Sequence, residues 1–127
     1  MRKNVLTPIA VLLDADLSES QESIPVHIQW LDNMSVQVIL GPDSEDAAGT
    51  FTVEVTNDFA LNADGSVRRS ENWVALPLDP SLTVSAGAPT ALFADINQSG
   101  AVAMRVTFEP EVGSEGTATV LVAGKAI

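Results

Sequence analysis

One histidine, seventeen carboxylates and six cationic side chains are the reactive inventory of this chain, which has neither cysteine nor tyrosine. The absence of cysteine excludes disulfides and thiolate metal sites and leaves the redox compartment open. In Ile24-Pro25-Val26-His27-Ile28-Gln29-Trp30 the histidine alternates with apolar Ile24, Val26, Ile28 and Trp30, which puts His27 on a polar face beside Gln29. A zinc site needs several nitrogen or sulfur ligands, and His27 is one. A serine hydrolase needs a base beside a strained nucleophile elbow, and the G-x-S-x-G signature does not occur.

The acids offer two starts towards a cation site. Asp14-Ala15-Asp16-Leu17-Ser18 begins like a calcium loop, but Glu19 stands where the loop needs glycine and Pro25 where it needs its distal glutamate. Asp43-Ser44-Glu45-Asp46 is a dense acidic turn that could hold a cation between loops. Solvated turns account for both. Glycoside hydrolysis requires two facing carboxylates, one kept protonated by a dry pocket, and nothing singles out such a pair. The sequence is read as non-enzymatic, with no catalytic residue, no cofactor and no metal.

Binding by side-chain surfaces is the alternative to catalysis. A sugar platform would use aromatic rings, but Trp30, Phe51 and Phe108 share phase with aliphatic core positions, Trp73 is ambiguous, and Phe59 falls in a loop. Arg68 and Arg69 interrupt a long acidic stretch, either as interface anchors or as ion-pair partners of Asp64 and Glu71. The formal charge is −11, and no Lys or Arg lies between Lys3 and Arg68. Phosphate binding draws on clustered cations, so nucleic acid is not an expected partner. The start MRKNVLTPIAVLLDAD imitates a secretion signal, but it holds Pro8 and runs into acids without a small-x-small cleavage site. No apolar stretch approaches the ~20 residues of a membrane helix, so no membrane partner is expected.

The elements that would carry these residues are strands. Phe51, Val53 and Val55 alternate with Thr50, Thr52, Glu54 and Thr56; Val102, Met104, Val106 and Phe108 with Ala101, Ala103, Arg105 and Thr107; and Ala118, Val120 and Val122 with Thr117, Thr119 and Leu121. This is the two-residue period of strands buried on one face. The pattern predicts strands near 4–13, 24–31, 34–40, 50–57, 72–78, 90–96, 101–109 and 117–123, with loops at Gly41–Asp46, Asn62–Ser66 and Glu111–Gly116. The expected fold is one all-β domain over 1–127, a β-sandwich of about eight antiparallel strands wired as a jelly roll or a related Greek key. Residues 1–13 are apolar on both faces, which reads as an edge strand or as an arm pairing with a neighbouring subunit. Candidate interface residues are Val5, Leu6, Ile9 and Val11 of that segment, with Arg68, Arg69 and Arg105.

Five segments carry a family resemblance: Met34–Val38, Gly49–Asp58, Glu71–Leu76, Ala103–Phe108 and Gly116–Lys125. Together they resemble small virion proteins of tailed bacteriophages over roughly residues 20–127, with Thr56 where that group usually has serine. Similar strand-and-tryptophan patterns occur in discoidin-like carbohydrate-binding sandwiches. The phage resemblance implies a non-enzymatic, multi-copy structural part of a particle, such as a capsid decoration (cement) or head-tail protein, assembled in the host cytoplasm and located in the virion. Its implied partners are further copies of itself, with a trimer as the first expectation by analogy, and the major capsid or other virion proteins. Thr50, Thr52, Thr56, Ala101, Ala103, Thr117 and Thr119 would supply small outward side chains against which neighbours pack. A carbohydrate-binding or host-adhesion module is the alternative function.

Overall fold

The computed structural model describes residues 5–78, 81–86, 91–97 and 100–125. The described residues contain twelve strand segments and no helix. In chain order these are β1 (Val5–Asp16), β2 (Gln21–Glu22), β3 (Val26–His27), β4 (Asn33–Leu40), β5 (Gly49–Thr56) and β6 (Phe59–Leu61). There follow β7 (Val67–Ser70), β8 (Val74–Leu76), β9 (Leu82–Val84), β10 (Ala91–Asn97), β11 (Ala103–Pro110) and β12 (Thr117–Lys125). One sheet runs β1-β12-β4-β10 and the second runs β2-β11-β5-β8, with β3 also on β11 and β9 also on β5. The β6-β7 hairpin stands apart. Every pairing is antiparallel.

Twelve segments reduce to eight strands and one inserted hairpin. β2 and β3 are two pieces of one edge along β11, and β8 and β9 are two pieces of the opposite edge along β5. With each split edge counted once, the sheet orders become 1-8-3-6 and 2-7-4-5, the wiring of a jelly roll. The first split has a chemical cause. Pro25 has no N–H to give the ladder, and Ser23 bridges the gap: its N–H donates to the Val106 carbonyl at 2.8 Å while its hydroxyl accepts from the Val106 N–H at 2.8 Å. At the second, Pro77 ends the pairing begun by β8 before β9 resumes it.

The core lies between the sheets. Met34, Val36 and Val38 of β4 and Ala118, Val120 and Val122 of β12 face Phe51 and Val53 of β5 and Met104, Val106 and Phe108 of β11. Each set is spaced by two, as strands with one buried face require. The Phe51 and Phe108 rings meet at 4.6 Å between centroids, tilted by 42°.

Several expectations need correction. Trp30 was expected in core phase, but it is 40% exposed. The ladder stops at His27, and a turn in which the Leu31 N–H donates to the Ile28 carbonyl at 2.9 Å sends Leu31 inward instead. Phe59 lies in β6, not in a loop. Ala101, Ala103 and Thr56, expected on an outward face, are all buried. Ala103 is flanked in the ladder by Thr56 and His27, and the His27 ring lies 5.9 Å from that of Phe59, so the inserted hairpin covers this corner. The Thr56 hydroxyl donates to the Glu71 carbonyl at 2.7 Å and accepts from the Asp58 N–H at 2.9 Å, tying the hairpin to β5.

Candidate interaction surfaces

The outer face of the second sheet is built from charged and hydroxyl side chains. Arg105 on β11 is in register with Glu54 on β5, which is in register with Ala75 on β8. Arg105 Nε donates to Glu54 Oε1 at 2.7 Å, Nη1 reaches Glu22 Oε1 at 3.1 Å, and the guanidinium lies 4.6 Å from the centre of the Trp73 ring. A guanidinium held by two carboxylates and an aromatic face is internally satisfied. Arg105, a candidate interface residue, therefore braces the sheet, and the Trp73 ring it covers is half-buried. Thr50, Thr52, Thr107 and Thr83 fill neighbouring outward positions.

Beside that face, the β6-β7 hairpin carries a second charge cluster. Arg69 Nε and Nη2 bond the two carboxylate oxygens of Asp58, and Nη2 also reaches Glu71 at 3.1 Å. Asn72, in a left-handed conformation at φ 55°, adds a bond from Nδ2 to Asp58 Oδ2 at 2.6 Å. The Arg69 hydrogen bond, then that of Asn72, holds the Asp58 carboxyl below the usual aspartate range, and Asp58 in turn raises Arg69. Of the alternatives for this arginine pair, Arg69 ion-pairs with Glu71 as expected and with Asp58 in place of Asp64. Asp64 instead accepts from the Ser66 hydroxyl and N–H within the hairpin turn, which lowers its pKa. Arg68 is exposed and pairs with no carboxylate among the described residues.

Both acidic turns are tied into their own chain by serine hydroxyls. Asp16 accepts from the Ser18 N–H at 2.9 Å and the Ser18 hydroxyl at 2.7 Å, both of which lower its pKa. In the Asp43–Asp46 turn, the Ser44 hydroxyl donates to the Thr117 carbonyl and accepts from the Thr117 N–H, each at 3.1 Å. Gly116 sits at φ 126° beneath this clasp, where a Cβ would fall 2.9 Å from Ser44 Cα. No group of three or more His, Cys, Asp or Glu side chains converges among the described residues. His27 Nε2 lies 3.4 Å from Gln29 Oε1, the neighbour expected from its phase.

The outer face of the first sheet is different in kind. Rows across it read Phe93, Gln37, Leu121, Ala10, and beside them Ala91, Ile39, Thr119. Leu13 is 72% exposed, Phe93 58% and Ile39 39%. The outward positions between Asp14 and Asp16 at one end and Asp95 and Lys125 at the other include no ionisable side chain. At the Asp95 end the face dips into an apolar groove of about 380 Å³, lined by Pro8, Met34, Ala123 and Gly124 among others. Residues of the 1–13 segment border this face: β1 pairs with β12 of its own chain, Val11 is buried, and Leu6 and Ile9 pack partly buried against the core. Val5 enters as a strand position alone.

Neither the Arg105 cluster nor the apolar face was anticipated as a site. The first depends on a strand register that places Arg105 beside Glu54 and Glu22. The second did leave a signal, because Ile39, Leu121 and Phe93 are large apolar residues in the outward phase of their strands.

Comparison with known proteins bears on the fold. No family model and no curated protein matches the sequence. Among solved structures, the SPBc2 prophage-derived protein YomS is similar over 99% of this chain and 96% of its own, at 13% identity and a TM-score of 0.55. A looser likeness, TM-score 0.44 at 12% identity, is to a chain of infectious bursal disease virus Gx strain, covering 99% of this chain and 32% of that one. The Drosophila NLP core aligns at 14% identity and a TM-score of 0.42, over 96% of this chain and 97% of its own. At 13% identity the likeness to YomS extends to the fold alone.

Proposed function

We propose that this chain is a non-enzymatic structural protein of a tailed-bacteriophage particle, present in multiple copies and bound to the capsid or to another head-associated protein. The observation that carries the reading is the end-to-end likeness to a prophage-derived protein, in which almost the whole of each chain takes part. The surfaces are compatible with it. The charged clusters are consumed in bracing the sandwich, and the hollows beside Thr56 (about 250 Å³) and beside Leu82 (about 280 Å³) are lined without a single carboxylate. A part whose work is to be rigid and to pack needs no more chemistry than this.

Mass spectrometry of phage particles purified from the host that carries the gene tests the proposal. The expected result is this chain in many copies per particle; its presence in the lysate but absence from washed particles would refute the reading. Carbohydrate binding is the second reading, favoured by the exposure of Trp30. Of the two tryptophans it rests on this one, since Trp73 is covered by Arg105. A glycan array that returns a binder whose signal is lost in Trp30→Ala would establish it.

A further inference from the structure

Seventeen acids stand against six bases, yet among the described residues the middle of the β1-β12-β4-β10 outer surface presents no ionisable side chain: Ala10, Leu13, Ile39, Ala91, Phe93 and Leu121 lie there with Gln37 and Thr119. Four strands about 4.8 Å apart and eight residues long at about 3.3 Å each make a whole face of roughly 500 Å², with the apolar side chains in its middle. Exposed apolar side chains gathered on one face mark interaction sites. Two whole faces pressed together cover on the order of 1,000 Å², the lower bound for a specific protein interface.

We infer that this face binds the same face of a second copy, forming a twofold pair in which two sheets stack as in a sandwich. Three features point to a second copy. Two chains of net charge −11 repel, and the middle of this face adds no charge to the contact. A twofold pair sets the same face of each copy against the other, and stacking the twin sheet at about 10 Å repeats the packing already used inside the fold. The ends of the face bear on the orientation: Asp14 and Asp16 lie at one end, and Asp95 with Lys125 at the other. A twofold axis perpendicular to the strands brings the acidic end of one copy to the mixed Asp95 and Lys125 end of its mate, while an axis parallel to them would oppose acid to acid. The groove beside Pro8 and Ala123 gives the partner's outward side chains somewhere to enter.

The inference deepens the particle reading, since a stable pair is the unit such a particle would recruit, but its test does not depend on any capsid. Sedimentation equilibrium of the full chain at about 50 μM should give twice the 13.3 kDa protomer mass. Ile39→Lys and Phe93→Glu should each weaken association at least tenfold with an unchanged far-UV spectrum, and Lys125→Glu should weaken it several-fold. Arg105→Ala, on the opposite sheet, should leave it unchanged. A wild-type monomer, a trimer, or folded Ile39→Lys and Phe93→Glu proteins that both keep the wild-type mass would overturn the inference. The two readings fail separately: a monomer found in washed particles refutes this contact alone, and a dimer absent from them refutes the particle role alone.

Discussion

The two outer faces of the sandwich use side chains in opposite ways. On the second sheet, Arg105 is held by Glu54, Glu22 and the Trp73 ring, and threonines fill the positions around them. Every strong group there has a partner within the chain. On the first sheet, Phe93, Ile39 and Leu13 point outward and are exposed. Polar groups that are mutually satisfied offer a partner little, because they must be desolvated before they bind anything else. Apolar groups left in water offer the full gain of burial. The difference separates a face that stabilises the monomer from the face we infer to assemble it.

The largest effect should come from the core both faces share. Phe108→Ala removes half of the ring pair with Phe51 and should cost about 3–5 kcal/mol in urea denaturation, unfolding enough of the chain to erase the comparison. Next, Arg105→Ala strips two carboxylates of their partner and uncovers Trp73. It should cost about 1–2 kcal/mol, kept modest by solvent at Glu22, with assembly intact. Thr56→Val removes the hydroxyl that serves the Glu71 carbonyl and the Asp58 N–H, and should cost about 1 kcal/mol, whereas Thr56→Ser should be tolerated. The smallest stability effect belongs to the first face: Phe93→Ser should change urea stability of the dilute protein by less than about 0.5 kcal/mol while reducing association.

Acid should act through three carboxylates, two at the inserted hairpin and one at the end of β1. Asp58, Asp16 and Asp64 are held below the usual aspartate range by hydrogen bonds from Arg69, Ser18 and Ser66 respectively. A depressed folded-state value means that the stabilisation is full above the unfolded-state value and is lost as pH falls through the folded-state one. Thermal midpoints should therefore drop as pH is lowered below about 4, and the drop should be shallower in Asp58→Asn. A midpoint that rises in acid would show that relief of net negative charge outweighs these bonds.

Most of the sandwich was legible because alternation in a half-buried strand is a local property. Val36 and Val38, Phe51 and Val53, and Val120 and Val122 announce their own burial. What failed was phase where the chain leaves the ladder. Ile28 and Trp30 keep the apolar spacing of a strand, yet a turn stands between them, and no pattern of types distinguishes a turn that swings Leu31 inward. The short β6-β7 hairpin was missed because Val67–Ser70 has no apolar alternation, and with it the burial of Ala103 and Thr56 beneath it. Arg105 was legible as outward, but its pairing was not, since its partners Glu22 and Glu54 are 83 and 51 residues distant in sequence. Ile39, Leu121 and Phe93 were visible all along as apolar residues in a polar phase; joining them into one face required the strand order.

Because the chain contains no cysteine, a single introduced thiol reports on one position alone. The decisive measurement is the maleimide labelling rate of Ile39→Cys and of Thr50→Cys, each under reductant, across protein concentrations from about 0.1 to 100 μM. The thiol at 39 should become at least tenfold slower to label as concentration rises, while the thiol at 50, on the opposite sheet, keeps one rate throughout. Equal rates at both positions at every concentration, or protection at 50 instead of 39, would contradict the division of labour between the two faces.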